Sequence, residues 1–69
     1  MISGRELCRA LESFGYAKDH QTGSHIILRH VSPPFRRLTV PDHKELSKGT
    51  FRAILRQSGI TLEELMRAL

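Results

Sequence analysis

Apolar residues at the start of the chain recur with the spacing of an α-helix. Ser3 and Glu6 have the spacing of a capping box, in which a hydroxyl and a carboxylate accept hydrogen bonds from free N–H groups of the first turn. Gly15 can readily adopt the left-handed backbone conformation that ends many helices. The pattern predicts a helix over residues 4–14. Its apolar positions, three and four residues apart, are Leu7, Ala10, Leu11 and Phe14.

The next segment has the composition of two β-strands joined by a turn. Residues 16–21 form a polar stretch of weak strand propensity, whereas residues 24–30 are rich in isoleucine and leucine and predict a much stronger strand. Thr22 and Gly23 between them are typical of a turn. We therefore expect these two strands to pair as a hairpin.

A loop and a third strand follow. Residues 31–35 contain adjacent prolines, which cannot donate hydrogen bonds to a sheet and so predict a loop. Residues 37–40 alternate polar and apolar side chains. Pro41 ends this pattern, so the third strand is expected to stop there.

Two helices are predicted near the end of the chain. The first begins near Ser47 or Lys48 and stops at Gly59. Thr61 and Glu64 form a second capping box, which opens a short last helix. The apolar positions of the first helix are Phe51, Ile54 and Leu55, and those of the second are Leu62, Leu65 and Leu69.

This order of elements predicts one α+β domain over residues 1–69, with the topology α-β-β-β-α(-α) and two layers. A three-stranded antiparallel sheet would carry the helices on one face. The other face of the sheet would stay open to solvent or to a ligand. A chain of 69 residues buries only roughly 60% of its unfolded surface, so it has no room for a deep substrate cavity.

Charge and composition narrow the classes of function. Eleven Lys and Arg residues against seven Asp and Glu give a net charge of +4, which favours an acidic or polyanionic partner. A single cysteine, Cys8, cannot form an internal disulfide. There is no apolar run of the roughly 20 residues that cross a bilayer and no signal peptide pattern. We therefore expect a cytoplasmic protein with no membrane association.

His25 is the leading candidate for chemistry. Alternation along the second strand places His25, Ile27 and Arg29 on one face, and Ile26 and Leu28 on the other. If the second set packs under the helices, His25 and Arg29 point outward. An exposed histidine near arginines suits phosphate chemistry, since imidazole exchanges protons near neutral pH. The alternative is that His25 is only a polar residue at the end of a strand.

Metal binding is the less favoured interpretation of the histidines. No two of them have the close spacing of metal ligands on a strand or a helix, and Cys8 is distant in sequence. We therefore predict no metal and no other cofactor. The four histidines are His20, His25, His30 and His43.

A positive ridge is predicted on the helix that follows. Its basic residues fall four apart, so they share one face if the helix extends back far enough, and such a ridge suits a nucleic-acid backbone. The alternative is that these basic residues are only a solvated face of the helix. A different function, a DNA-binding helix-turn-helix around Ser58 and Gly59, is less favoured, because the glutamates that begin the last helix would repel phosphates. The residues of this ridge are Lys44, Lys48, Arg52 and Arg56.

Three segments together resemble the HicA family of mRNA interferase toxins. They are GSHIILRH at residues 23–30, TVPDHK at residues 39–44 and KGTFRAILRQSGI at residues 48–60. The resemblance spans nearly the whole chain. It implies a fold like that of double-stranded-RNA-binding domains and a ribonuclease that cleaves mRNA and is held inactive by a HicB-type antitoxin.

The resemblance also implies roles for individual residues. The histidine of the GSH motif, here His25, would be the catalytic one, in a reaction that needs no metal. Separately from the resemblance, the residues themselves suggest that Gly23 and Ser24 shape the turn that meets RNA, and that Arg29 binds the phosphodiester together with Lys44, Lys48 and Arg52. An inhibitor of such a cationic protein should present an acidic surface, and a toxin–antitoxin hetero-oligomer would result.

Two features stay open at this level. His20 and His43 are both candidates for a second proton-transfer group. Residues 31–36 replace a shorter turn that is common in such toxins, so the hairpin tip is expected to differ in shape from theirs.

The competing function is that of a non-catalytic module that binds RNA through the second long helix.

Overall fold

The computed structural model describes residues 2–69 and has the predicted order of elements. The three strands form one antiparallel sheet in the order β1-β2-β3. This architecture confirms the α+β prediction. The elements are α1 (Gly4–Glu12), β1 (Tyr16–Thr22), β2 (His25–His30), β3 (Arg37–Pro41), α2 (Lys48–Ser58) and α3 (Leu62–Ala68).

Helix α1 begins as its capping box predicts but ends two residues early. The Ser3 hydroxyl accepts from the Glu6 N–H, and the Glu6 carboxylate accepts from the Ser3 N–H, both at 3.0 Å. At the other end, the N–H groups of Ser13 and Phe14 donate to carbonyls three residues back. Such bonds tighten the last turn and end the α-helix. Gly15 then takes a positive φ of 91°.

Helix α2 is shorter at its start than the predicted basic ridge requires. The Ser47 hydroxyl accepts from the Thr50 N–H at 3.2 Å, so the helix begins at Lys48. Just before it, Leu46 is buried and its N–H donates to the Ile2 carbonyl at 2.9 Å. This contact holds the preceding chain in a non-helical path. The predicted start near Ser47 or Lys48 is confirmed, so Lys44 is not on the helix and the condition for a four-residue ridge, a helix that extends back to Lys44, is not met.

The core lies between the helices and one face of the sheet. The alternation predicted for β2 and β3 is confirmed, because Ile26 and Leu28 are buried with Leu38 and Val40. The helices contribute half of the core residues. Their buried apolar side chains are Leu7, Ala10, Leu11, Ile54, Leu55 and Leu65.

Helix α3 buries fewer of its apolar side chains than its sequence pattern predicts. Of the three apolar positions, only Leu65 is fully buried, whereas Leu62 and Leu69 are 54% and 57% exposed. The helix has only seven residues and packs mainly against α1, so only Leu65 of the three predicted positions is buried in the core. The expected apolar face is therefore correct at one position only.

The helices of the described part of the chain are 7 to 11 residues long. A helix that spans a bilayer needs about 20. No helix within residues 2–69 has the length and apolarity for such a span.

Candidate active site

A two-residue turn at the tip of the first hairpin presents the GSH segment to solvent. Thr22 pairs with His25, so Gly23 and Ser24 are the two turn residues. Gly23 has a φ of 57°, and glycine at the first position of such a turn matches the twist of the flanking strands. A side chain at Gly23 would meet no atom within 4 Å. The predicted RNA-binding residues of this turn are thus at an open tip.

His25 is exposed on the sheet face that the helices leave uncovered. Its neighbours across the sheet are Thr22 of β1 and Pro41 of β3. The buried residue that follows it, Ile26, points to the opposite side. The position of His25 therefore agrees with the alternation in the sequence.

The segment after β3 ties this turn to the helical layer. The Asp42 N–H donates to the Ser24 carbonyl, and the Asp42 carboxylate accepts from the Arg5 guanidinium at 3.0 and 3.3 Å. The Gln21 amide donates to the same carboxylate at 3.2 Å. The hydrogen bonds from Arg5 lower the pKa of Asp42. Asp42 is therefore an anchor for the GSH turn, a role that sequence reasoning missed.

A β-bulge in β1 changes which side chains reach the open face. Lys18 pairs with Leu28, but the next paired residue of β1 is His20, opposite Ile27, so Asp19 is the extra residue. Strict alternation would have placed His20 with Lys18 on the helix side. The bulge instead turns His20 to the face that carries His25, as bulges beside functional sites often do.

Asp19 and His20 form a hydrogen-bonded pair on this face. The Asp19 carboxylate lies 2.8 Å from Nδ1 of His20, whose side chain is 52% exposed. This hydrogen bond lowers the pKa of Asp19, and the positive charges of Arg37 and Arg29 contribute in the same direction. The open face thus combines two imidazoles, a carboxylate and two guanidinium groups. Sequence reasoning missed Asp19, whose only signal was its position beside His20.

The two arginines lie at the opposite end of the face from His25. Arg29 is four residues along β2, which corresponds to about 13 Å at roughly 3.3 Å per residue. Arg37 pairs directly with Arg29, and like charges in such a pair oppose each other unless an anion lies nearby. The Arg29 guanidinium also lies 5.3 Å from the centre of the Phe35 ring. The predicted loop over residues 31–36 therefore helps to orient Arg29.

His30 has a structural role. Its Nε2–H donates to the Phe14 carbonyl at 2.8 Å, and its Nδ1 accepts from the Ser32 N–H at 3.1 Å. The ring also meets Tyr16 edge to face, with centroids 4.9 Å apart. Both nitrogens are engaged within the protein, so His30 is a packed side chain that links the turn after α1 to the loop after β2.

The remaining predicted RNA-binding residues are not on this face. Lys48 lines a cleft of the helical layer that also contains Glu6 of α1 and Met66 of α3. Arg52 is exposed one turn further along α2. Lys44 lies in the bend before α2, beside His43. The structure therefore brings Gly23, Ser24 and Arg29 to the sheet face of His25, and it separates them from the basic residues of α2.

Cys8 is a packed residue on α1. It is half-buried, and burial raises the pKa of its thiol to about 11. Among residues 2–69, no three side chains of His, Cys, Asp or Glu come together as metal ligands would.

Comparison with known proteins adds one finding. Residues 4–60 match the model of a protein family described as the HicA toxin of bacterial toxin–antitoxin systems. The match covers all three segments on which the sequence resemblance rests. No curated protein matches the chain.

Proposed function

Because this chain belongs to the HicA family of toxins from bacterial toxin–antitoxin systems, we propose that it is an endoribonuclease that cleaves mRNA and uses His25 for proton transfer. The reaction needs no metal, because RNA carries its own nucleophile in the 2′-hydroxyl next to each phosphodiester. The protein has only to move protons and to stabilise the charge that develops on the phosphate.

The observation that carries this proposal is the position of His25. Its imidazole is exposed on the open sheet face, at the end next to the GSH turn. A histidine buried under the helices would have no route to a phosphodiester. His25 therefore meets the first requirement for a general base, which is access to the proton it removes.

The basic residues of the same face support binding of the RNA backbone. Arg29 and Arg37 face each other across β2 and β3, and a phosphate between them would relieve their mutual repulsion. Because the two arginines lie far from His25, they would bind a phosphate in a neighbouring part of the RNA strand. Gly23 and Ser24 would lie next to the scissile bond. Lys44, Lys48 and Arg52 would contact RNA that extends around the edge of the domain.

Membership of a toxin–antitoxin family implies an antitoxin partner. We propose that the partner is a HicB-type protein with an acidic surface that covers the open sheet face. Burial of the arginines against carboxylates would compete directly with RNA. The prediction is that the antitoxin and RNA exclude each other.

Cleavage of RNA in EDTA by the wild type and by His25→Ala tests the proposal. General acid–base catalysis contributes about 10²- to 10⁴-fold, so the variant should lose activity by that factor while it still folds and binds RNA. Products that end in a 2′,3′-cyclic phosphate identify attack by the 2′-hydroxyl. Full activity of His25→Ala would contradict the proposal.

The exposed basic residues of α2 favour a second candidate, a module that binds RNA without cleaving it. This function predicts salt-dependent binding that is lost in Arg52→Ala and that is indifferent to His25. It also predicts intact RNA after incubation with the wild type. The cleavage assay therefore separates the two candidates.

A further inference from the structure

The bulge in β1 places a second imidazole on the face of His25 and supplies it with a carboxylate. His20 lies opposite Ile27, and His25 lies opposite Thr22, so the two histidines are diagonal neighbours on adjacent strands. Diagonal neighbours lie about 7–8 Å apart, within reach of long side chains. A phosphodiester that lies across the strands can therefore touch both rings.

From this geometry we infer that His20 is a second proton-transfer group of the proposed ribonuclease and that Asp19 positions it. The inference rests on the proposed function and deepens it. It assigns the two imidazoles different roles in one displacement at phosphorus.

The other candidates are less well placed. The ring nitrogens of His30 bond to Phe14 and Ser32, and His43 follows the end of β3 in a cleft with Arg5. Arg29 lies about 13 Å from His25 along the strand. Among these groups, His20 alone occupies the row of the open face next to His25.

The hydrogen bond to Asp19 determines which nitrogen of His20 faces the substrate. Nδ1–H donates to the carboxylate at 2.8 Å, which leaves Nε2 free on an exposed side chain. When His20 is protonated, the carboxylate stabilises the imidazolium as an ion pair. Within residues 2–69 the other carboxylate in such close contact with a basic side chain is Asp42, which binds Arg5, so His25 has no carboxylate partner there. These environments suit His20 as the general acid and His25 as the general base.

The proposed step is balanced in atoms and charge. Neutral His25 takes the proton of the 2′-hydroxyl while the 2′-oxygen forms a bond to phosphorus. The bond from phosphorus to the 5′-oxygen breaks, and protonated His20 gives its Nε2 proton to that oxygen. The products are a 2′,3′-cyclic phosphate and a 5′-hydroxyl, and the two imidazoles recover their starting states by proton exchange with water.

Two substrates distinguish the roles of the histidines. One is an RNA oligonucleotide with a single cleavable linkage, and the other has sulfur in place of the 5′-oxygen at that linkage. A thiolate leaves without a proton, so the sulfur substrate does not need a general acid. Cleavage of both would be measured for the wild type, His25→Ala, His20→Gln and Thr39→Ala. Thr39 faces Ile27 from the other side, at the position that mirrors His20.

The expected result is a loss of about 10²- to 10⁴-fold for His20→Gln on the oxygen substrate, with activity near that of the wild type on the sulfur substrate. His25→Ala should be impaired on both substrates, and Thr39→Ala on neither. Asp19→Asn should lose less than His20→Gln and should also recover on the sulfur substrate. A purely structural role of Asp19 would impair both substrates equally.

Several outcomes would overturn the inference. If His20→Gln, shown to be folded by circular dichroism, cleaves the oxygen substrate at the wild-type rate, His20 is not a proton-transfer group, while the proposed function stands. If His20→Gln is equally impaired on both substrates, it is not the general acid. If the wild type leaves both substrates intact, the proposed function fails and the inference fails with it.

Discussion

Replacement of Gly4 by alanine tests how closely α1 approaches the end of β3. A methyl group at Gly4 would lie 1.9 Å from the Pro41 carbonyl oxygen, whereas ordinary van der Waals contact begins at 3.4 Å. The helix would have to move by about 1.5 Å, and the obstacle is backbone that cannot rotate away. Pro41 pairs with His25, so the displacement would occur next to the candidate active site.

The magnitude follows from three terms. Overpacking costs about 1–3 kcal/mol. Loss of the Gly4 N–H hydrogen bond to the His43 carbonyl, 2.9 Å long, costs about 1 kcal/mol. The higher helix propensity of alanine compared with glycine offsets about 0.8–1 kcal/mol of this cost. We expect a net loss of about 1–3 kcal/mol, against a total stability of roughly 3–10 kcal/mol for a chain of this size.

Urea denaturation followed by circular dichroism at 222 nm measures this loss. The matched control is Gly49→Ala, in the first turn of α2, where an added methyl group would meet no atom within 4 Å. The control should be unchanged or stabilised by up to about 1 kcal/mol. Equal midpoints for Gly4→Ala and Gly49→Ala would refute the close approach of α1 to Pro41.

Three further predictions concern side chains around the site. His30→Ala should lower the free energy of unfolding by about 1–3 kcal/mol, because it removes the hydrogen-bond partner of the Phe14 carbonyl. RNA cleavage by the folded variant should be unchanged. A large loss of cleavage would contradict the structural role of His30. Asp42 has a lowered pKa in the folded state because of Arg5, so its contribution to stability is complete above its usual pKa of about 3.9 and is lost as the pH falls through the lower folded value. Acidification below about pH 4 should therefore destabilise the wild type more steeply than Asp42→Asn, as measured by thermal unfolding at several pH values; parallel curves would count against the ion pair. Burial raises the pKa of the Cys8 thiol to about 11, so a disulfide reagent at pH 8 should react slowly with the folded protein and fast in urea; equal rates would show that the thiol is accessible.

The orientation of His25 followed from local pattern. The alternation of Ile26 and Leu28 with polar neighbours determines the face of β2 that is buried, because one sheet face must pack under the helices. The capping boxes at Ser3 and Thr61 were also predictable, since capping depends on residues only three positions apart. These features needed no knowledge of distant contacts.

The position of His20 was not predictable in the same way. A bulge is a property of the pairing between two strands, and the polar sequence of β1 has no apolar alternation that would reveal a shift in register. The end of the basic ridge at Lys48 likewise depends on the contact of Leu46 with Ile2, which lies far away in the sequence. At both places tertiary contacts override local spacing.

The sequence by itself determined the order of elements, the buried face of the sheet, the exposure of His25 and the family to which the chain belongs. Hydrophobic periodicity and short motifs are local, so they can be read from neighbouring residues. Only the tertiary structure decided that His20 joins His25 on the open face and that both ring nitrogens of His30 are hydrogen-bonded within the fold. It also decided that the arginines of the sheet and the basic residues of α2 occupy different surfaces. Those arrangements depend on strand register and helix packing, which bring together residues that the sequence keeps apart.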